Sequence, residues 1–211
     1  MTHLDDNELL PDGQHGFRAK RSCLTQLLTF WDTVLEQLEE GKGVDAVYTD
    51  LAKAFDKCET GVLLHKLKDC GIRGKMGHWL AAFLNPSVRK QAVGVEGRLS
   101  SLTPVVSGVP QGSVIGPLMF VIYINDMPGV TRSCLQLFAD DAKLFQSFQN
   151  SVDCSQLMDD LSRLENWSDT WQMKFNPSKC QVLHIGSRNP ECVYRLAGVD
   201  IEAVTEVKDL G

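Results

Sequence analysis

The chain has 211 residues, 43% of them apolar and 23% charged, the balance of an ordinary globular protein with length for one good core or two lobes sharing one. No apolar run approaches the roughly 18 residues of a membrane span, and the acidic start, Met1-Thr-His-Leu-Asp-Asp-Asn-Glu8, is unlike a signal or transit peptide. A net charge of −6 speaks mildly against nucleic-acid binding, since such domains are usually basic, although bases gather at 15–21, 66–75 and 89–90.

The first thirteen residues lack periodicity and end in the turn signal Leu10-Pro11-Asp12-Gly13. Ser22 is an N-cap candidate. Leu24, Leu27, Leu28, Trp31, Leu35 and Leu38 follow at helical spacing, which predicts an amphipathic helix with this stripe in the core, ended by Gly41. Residues 44–51 alternate like a strand and place Asp50 at its C-terminal end. Helices are expected over 62–70 and 75–84, then a hairpin of 90–95 and 99–106 turning at Glu96-Gly97. A glycine-rich loop, Ser107-Gly-Val-Pro-Gln-Gly-Ser113, leads into an apolar helix over 114–125 with Pro117 in its first turn. A long helix over 152–171, a strand over 181–185 and short strands over 194–196 and 204–208 complete the chain. The seven cysteines form no C-x-x-C pair. Their scatter argues against a zinc site and a disulfide scaffold, and fits a reducing intracellular setting, cytoplasm or nucleus.

Between the last two helices lies Leu137-Phe-Ala-Asp140-Asp141-Ala-Lys-Leu-Phe145, which reads as strand, sharp turn, strand. Two neighbouring acids at such a tip are poorly explained by solvation alone. Carboxylates converging from separate elements are what two-metal phosphoryl chemistry requires, and Asp50 at a strand end is a third candidate.

Four stretches carry a resemblance, in this order: Gly13-Gln-His-Gly-Phe-Arg-Ala-Lys-Arg-Ser-Cys-Leu-Thr-Gln-Leu-Leu28, Tyr48-Thr-Asp-Leu-Ala-Lys-Ala-Phe-Asp56, Ser107-Gly-Val-Pro-Gln-Gly-Ser-Val-Ile-Gly-Pro-Leu118 and Phe138-Ala-Asp-Asp141. With them, the run from His15 to Gly211 resembles the reverse transcriptase domain of non-LTR (LINE-type) retrotransposons. The Phe-Ala-Asp-Asp block and the loop before it are closer to the non-LTR and group II intron branch than to the retroviral one.

The resemblance implies an α+β right-hand polymerase, with an antiparallel palm sheet backed by helices 114–125 and 152–171 and the thumb absent. Fingers would comprise 1–43 and 58–112, and the palm 44–57 and 113–211, Leu210-Gly211 opening a primer-grip hairpin. It implies RNA-directed DNA polymerase activity on template RNA, primer DNA and deoxynucleotides, with two Mg²⁺ held by Asp50, Asp140 and Asp141. Phe55 matches an aromatic against the nucleotide sugar that would exclude a 2′-hydroxyl, Gln111 and Gly112 a pair touching nucleotide and templating base. Lys179 matches a lysine that protonates or neutralises the leaving pyrophosphate, and a solvated surface lysine is its alternative. Arg18 and Arg21 match basic residues that meet phosphate. Asp56 reads as structural, a cap for the helix that follows. Thr49, where an aliphatic residue is usual, and Cys58-Glu59-Thr60 depart from the pattern. An RNA-dependent RNA polymerase, an intron maturase and an inactive remnant that only binds nucleic acid or protein are the competing readings.

Overall fold

A computed structural model describes residues 2–148, 154–187 and 189–210. The chain divides into two compact units, Met1–Ala52 with Asn125–Gly211, and Lys53–Ile124 inserted between them in sequence. In chain order the elements are α1 (Thr2–Asp6), α2 (Cys23–Glu39), β1 (Gly43–Thr49), α3 (Ala54–Lys57), α4 (Thr60–Asp69) and α5 (Gly74–Leu84). There follow the short strands β2 (Lys90–Gln91), β3 (Gly94–Val95), β4 (Arg98–Leu99) and β5 (Thr103–Pro104), then α6 (Gly116–Tyr123). Last come β6 (Cys134–Phe138), β7 (Asp141–Phe148), α7 (Cys154–Thr170), β8 (Gln181–Ile185), β9 (Arg195–Leu196), β10 (Val199–Asp200) and β11 (Glu202–Val204).

The first unit is built on a five-stranded sheet in the order β11-β8-β1-β7-β6. β1 lies at its centre, antiparallel to β7 on one side and to β8 on the other. The wholly antiparallel sheet expected from the sequence is corrected at one edge, where β11 runs parallel to β8. The expected strand over 204–208 is correspondingly displaced to Glu202–Val204, and β9 pairs with β10 instead. Residues 2–6, unassigned from sequence, form the short α1.

Strand alternation sends successive side chains to opposite faces of the sheet. Val44, Ala46 and Tyr48 of β1 share one face with Phe145 of β7, and α2 packs there through Phe30 and Val34. The Phe30 and Phe145 rings meet edge to face at 5.1 Å. Ser22 caps α2 as the sequence predicts, its Oγ accepting from Thr25 N at 3.2 Å. The buried face, however, is not the leucine stripe. Of its members Leu24, Leu28, Trp31 and Leu35 are exposed, Leu27 is half-buried and Leu38 packs against the core, while Gln26, Phe30 and Val34 are buried. The helix carries two overlapping apolar registers, and the one holding the phenylalanine fills the space over Val44 and Ala46.

On the other face Asp45 is fully buried. Its carboxylate accepts from His184 Nδ1 at 2.5 Å, from Asn189 Nδ2 at 2.8 Å and from the Tyr194 hydroxyl, so the charge is satisfied in place. α7 begins at Cys154; Val152, where the sequence sets its start, lies outside the described residues, as does Gly211. Cys154 is joined to Cys192 by a disulfide, against the expectation of none, because residues 38 apart without a motif give no sign of their proximity.

In the second unit α6 starts at Gly116 with Pro117 in its first turn and packs on α4, whose Lys66 Nζ donates to Tyr123 O at 2.6 Å. Glu59, not Asp56, caps α4, its Oε2 accepting from Val62 N at 2.6 Å. The hairpin turning at Glu96-Gly97 is present, with the two-residue pairs β3–β4 and β2–β5 and bonds from Ser100 N to Val93 O and from Val105 N to Arg89 O, both at 2.9 Å, and all four of these strands are solvent-exposed.

Candidate active site

Asp50 follows directly on β1, and Asp141 opens β7. The last β1–β7 pair is Thr49 with Ala142, so Asp50 and Asp141 come one step beyond it, at the same end of the sheet. Thr49, the departure from the usual aliphatic residue, is accommodated because its buried hydroxyl donates to Ala142 O at 3.3 Å. β6 and β7 are joined by a two-residue turn, Ala139-Asp140, with Phe138 facing Asp141. The tip with two acids read from the sequence is thus present, Asp140 in the turn and Asp141 beside it.

That turn is strained, and its support was not recognised from sequence. Ala139 has φ +55°, a left-handed conformation costly for a residue with a β-carbon. Gln14 holds it: its Oε1 accepts from Ala139 N at 3.2 Å and from Gly16 N at 2.8 Å. Residues 13–15 run along β6, with Leu137 N donating to Gly13 O and His15 N to Leu137 O, both at 2.8 Å. A β-carbon on Gly16 would lie 2.3 Å from Ala139 N and one on Gly13 2.6 Å from Leu135 O, so only glycine permits this approach. The signal available in the sequence was the pair of glycines flanking Gln14 and His15.

Asp50 is fixed through its backbone, its carbonyl accepting from Asn176 N at 2.8 Å, and Ala52 N donates to Lys174 O at the same distance. The turn Pro177–Lys179 follows, and Lys179 Nζ stands 3.6 Å from Asp50 Oδ1. Asp50, Asp141, Lys179, Lys143, Gln181 and residues 207–210 line one open cavity of about 210 Å³. Gln26 also lines it, buried, with an Oε1 that has no hydrogen-bond partner. Partial desolvation, then the charges of Asp140, Asp50 and Asp209, raise the Asp141 carboxyl above its ordinary range. Three neighbouring acids therefore bear on Asp141 here. Among the described residues no three His, Cys, Asp or Glu side chains close into a ready ligand set. Carboxylates open to a cavity suit a hard cation that completes its shell with water and phosphate oxygens.

Lys143, two residues after Asp141, is almost wholly buried and forms an ion pair with Asp209. Burial lowers its pKa, and the Asp209 carboxylate opposes that shift.

Three other predicted site residues come together in the second unit. Phe55 on α3 stacks on Phe120 at 4.3 Å and, with Gln111 and Gly112, lines a cavity of about 280 Å³. The glycine-rich loop is tied to α3 by Val109 N to Phe55 O at 2.9 Å and Ser107 Oγ to Asp56 O at 2.9 Å. Asp56 Oδ1 accepts from Gln111 Nε2 at 2.8 Å, which orients Gln111 and replaces the capping role expected for Asp56. Gly112 has φ +77° with open space where a side chain would point, so its glycine serves the turn.

Arg18 and Arg21 brace the loop that carries Gln14. Arg18 Nη1 donates to Pro11 O at 2.8 Å and Nη2 pairs with Asp5 at 3.5 Å, whereas Arg21 pairs with the exposed Asp12 at 3.3 Å.

Residues 1–211 match the family model described as reverse transcriptase (RNA-dependent DNA polymerase). The RNA-directed DNA polymerase of the mobile element jockey from Drosophila melanogaster is 29% identical over 91% of this chain. The probable RNA-directed DNA polymerase of transposon BS from the same organism is 29% identical over 99%. The chain spans only 22% and 24% of the length of these two curated relatives. Among solved structures, telomerase from Candida tropicalis in complex with a fragment of telomeric RNA superposes with a TM-score of 0.63 over 89% of this chain and 32% of that one. Their identity is 13%, a likeness of fold. With carboxylates gathered at one sheet end and the match running the whole length, the chain belongs to the reverse transcriptase (RNA-dependent DNA polymerase) family, and its relatives are polymerases of non-LTR retrotransposons.

Proposed function

We propose that this chain is the catalytic core of an RNA-directed DNA polymerase that extends a DNA primer along an RNA template with deoxynucleotides. The observation that carries the reading is the placement of Asp50 and Asp141 one step beyond the Thr49–Ala142 pair, with Asp140 in the adjoining turn and Lys179 at 3.6 Å from Asp50. In this reading the sheet of the first unit is the palm, the fingers include 58–112, and the work is done in cytoplasm or nucleus.

Asp50, Asp140 and Asp141 would hold two Mg²⁺, a fit supported by the raised Asp141 pKa, due first to partial desolvation and then to the charges of Asp140, Asp50 and Asp209, which divalent charge would offset. When bound, such ions activate a primer 3′-hydroxyl and neutralise charge on the transferring phosphate. Lys179, exposed beside Asp50, would donate a proton to the departing pyrophosphate or neutralise its charge. The Phe55 ring, held by Phe120, would clash with a 2′-hydroxyl and so select deoxynucleotides, and Gln111 and Gly112 complete that cavity for base and sugar. Arg21, only partly engaged by Asp12, is the better placed of the two arginines to meet phosphate.

Primer extension on an RNA template, with Asp141→Asn as the comparison, tests the proposal. Extension should require Mg²⁺ and fall to background in the variant. Equal signal from both proteins would remove the reading and leave a domain that binds nucleic acid or protein without catalysis.

A further inference from the structure

The buried Lys143 is not used by the reaction as described, and burying an ammonium group is costly unless it is paired. Its side chain is 4% exposed. Register sets Lys143 opposite Tyr48 of β1, on the face covered by α2. Nζ stands 4.0 Å from the centre of the Phe30 ring and 5.2 Å from that of Tyr48, so two aromatic faces cradle the cation. The carboxylate that neutralises it comes from 66 residues further along the chain, Asp209, which also accepts from the Tyr48 hydroxyl at 3.5 Å.

Asp209 lies in residues 205–210, which follow β11 without joining a strand or helix. Val207, Lys208, Asp209 and Leu210 nonetheless form a wall of the cavity that contains Asp50 and Asp141. Among the described residues, the hydrogen bonds from this segment to the rest of the unit are those of Asp209 with Lys143 and Tyr48.

We propose that Lys143 is a positioning residue, whose ion pair with Asp209 latches residues 206–210 against the carboxylate cavity and so shapes the surface that receives the template–primer hybrid. The pair does for this wall what Gln14 does for the aspartate turn. It fixes a segment that has no ladder of its own. Lys143 touches no reacting group, so its loss weakens hybrid binding and leaves the chemical step nearly intact. This inference rests on the polymerase reading of the same site.

The test uses the whole chain with Lys143→Met, Asp209→Asn and the double variant. Methionine keeps the unbranched apolar stem between the two rings, and Asp209→Asn supplies a second route should that variant misfold. Hydrogen exchange of the peptide spanning 203–210 should quicken in both single variants. The dissociation constant of a fluorescein-labelled RNA–DNA hybrid, and the KM for that hybrid in extension, should each rise about tenfold in both single variants, with the kcat of Lys143→Met changed by less than about twofold. The double variant should be no worse than either single one, because both remove the same interaction. Unchanged exchange, additive losses, or faster exchange with unchanged hybrid affinity would each overturn the proposal. Exchange and hybrid binding do not require turnover. A wild-type protein that fails to extend primers would refute the polymerase reading, while these two measurements still decide the latch.

Discussion

Ala139 is the residue on which the geometry of the acids turns, since its left-handed backbone is sustained by contacts from residues 14 and 16 rather than by its own preference. Gln14→Ala should leave all three aspartates in the chain and still lower primer extension by about 10- to 100-fold, the usual cost of removing a group that orients a metal-site carboxylate. Lys179→Ala should lower kcat by about 100-fold with a smaller change in KM, as the proposed role in charge or proton transfer to pyrophosphate requires, and single-turnover kinetics would show it. His15 offers a test by pH. Burial first, then Arg21 and Arg18, lower its pKa below 6.5 against an opposing hydrogen bond from Ser22. The folded protein therefore resists protonating His15. Its contribution to stability is full above the unfolded pKa of 6.5 and is lost as pH falls through that value toward the folded one. Thermal melts of the wild type should drop between pH 7.5 and pH 5.5 more than those of His15→Gln. At this scale the acids were legible, because two adjacent carboxylates at a turn have few structural uses. Gln14 was not, because a glutamine bonded to a backbone amide 125 residues away leaves no periodic trace.

Among the elements, α2 shows how helical spacing can be right about existence and wrong about facing. Leucines at three- and four-residue intervals marked the helix, and Ser22 its start, yet the phenylalanine register won the core. Phe30→Ala should cost about 3–5 kcal/mol in denaturant unfolding, whereas Leu28→Ser and Leu35→Ser should each stay within about 0.5 kcal/mol. A leucine stripe and a phenylalanine stripe are equally periodic, and only the concavity over Val44 and Ala46 chooses. The strand carrying Asp50, the strand over 181–185 and the helix begun by Pro117 were legible to within a few residues, since each is bounded by turn chemistry. The strand expected over 204–208 lies instead at Glu202–Val204, because Val204 and Val207 look equally extended, while the residues after it are anchored by an ion pair.

At the scale of the whole molecule, the insertion of Lys53–Ile124 explains why Asp50 and Asp140 are ninety residues apart in sequence yet end up at the same end of the neighbouring strands β1 and β7. The mixed α/β class was readable from alternating and helical periodicities, whereas the parallel edge strand and the Cys154–Cys192 bond depend on contacts that composition does not record. Closing a loop of this size is worth up to about 3–4 kcal/mol of chain entropy, so Cys192→Ser should lower the denaturation midpoint, as reductant should for the wild type but not for the variant. The buried Cys58, its thiol pushed up to about 12 chiefly by burial, should stay inert to alkylation in the folded protein.

The close approach of Gly13 and Gly16 to the strand before the aspartates bears on how far the protein can be shortened. A version begun at Ser22 would keep Asp50, Asp140, Asp141, Lys179, the whole of α2 and three of the four motif stretches intact. It would lack the residues that hold Ala139 in its left-handed state and run along the outer edge of β6. Such a truncation should express as a sheet with a bare rim, prone to pair with its own copies, its acids no longer held in register with Asp50.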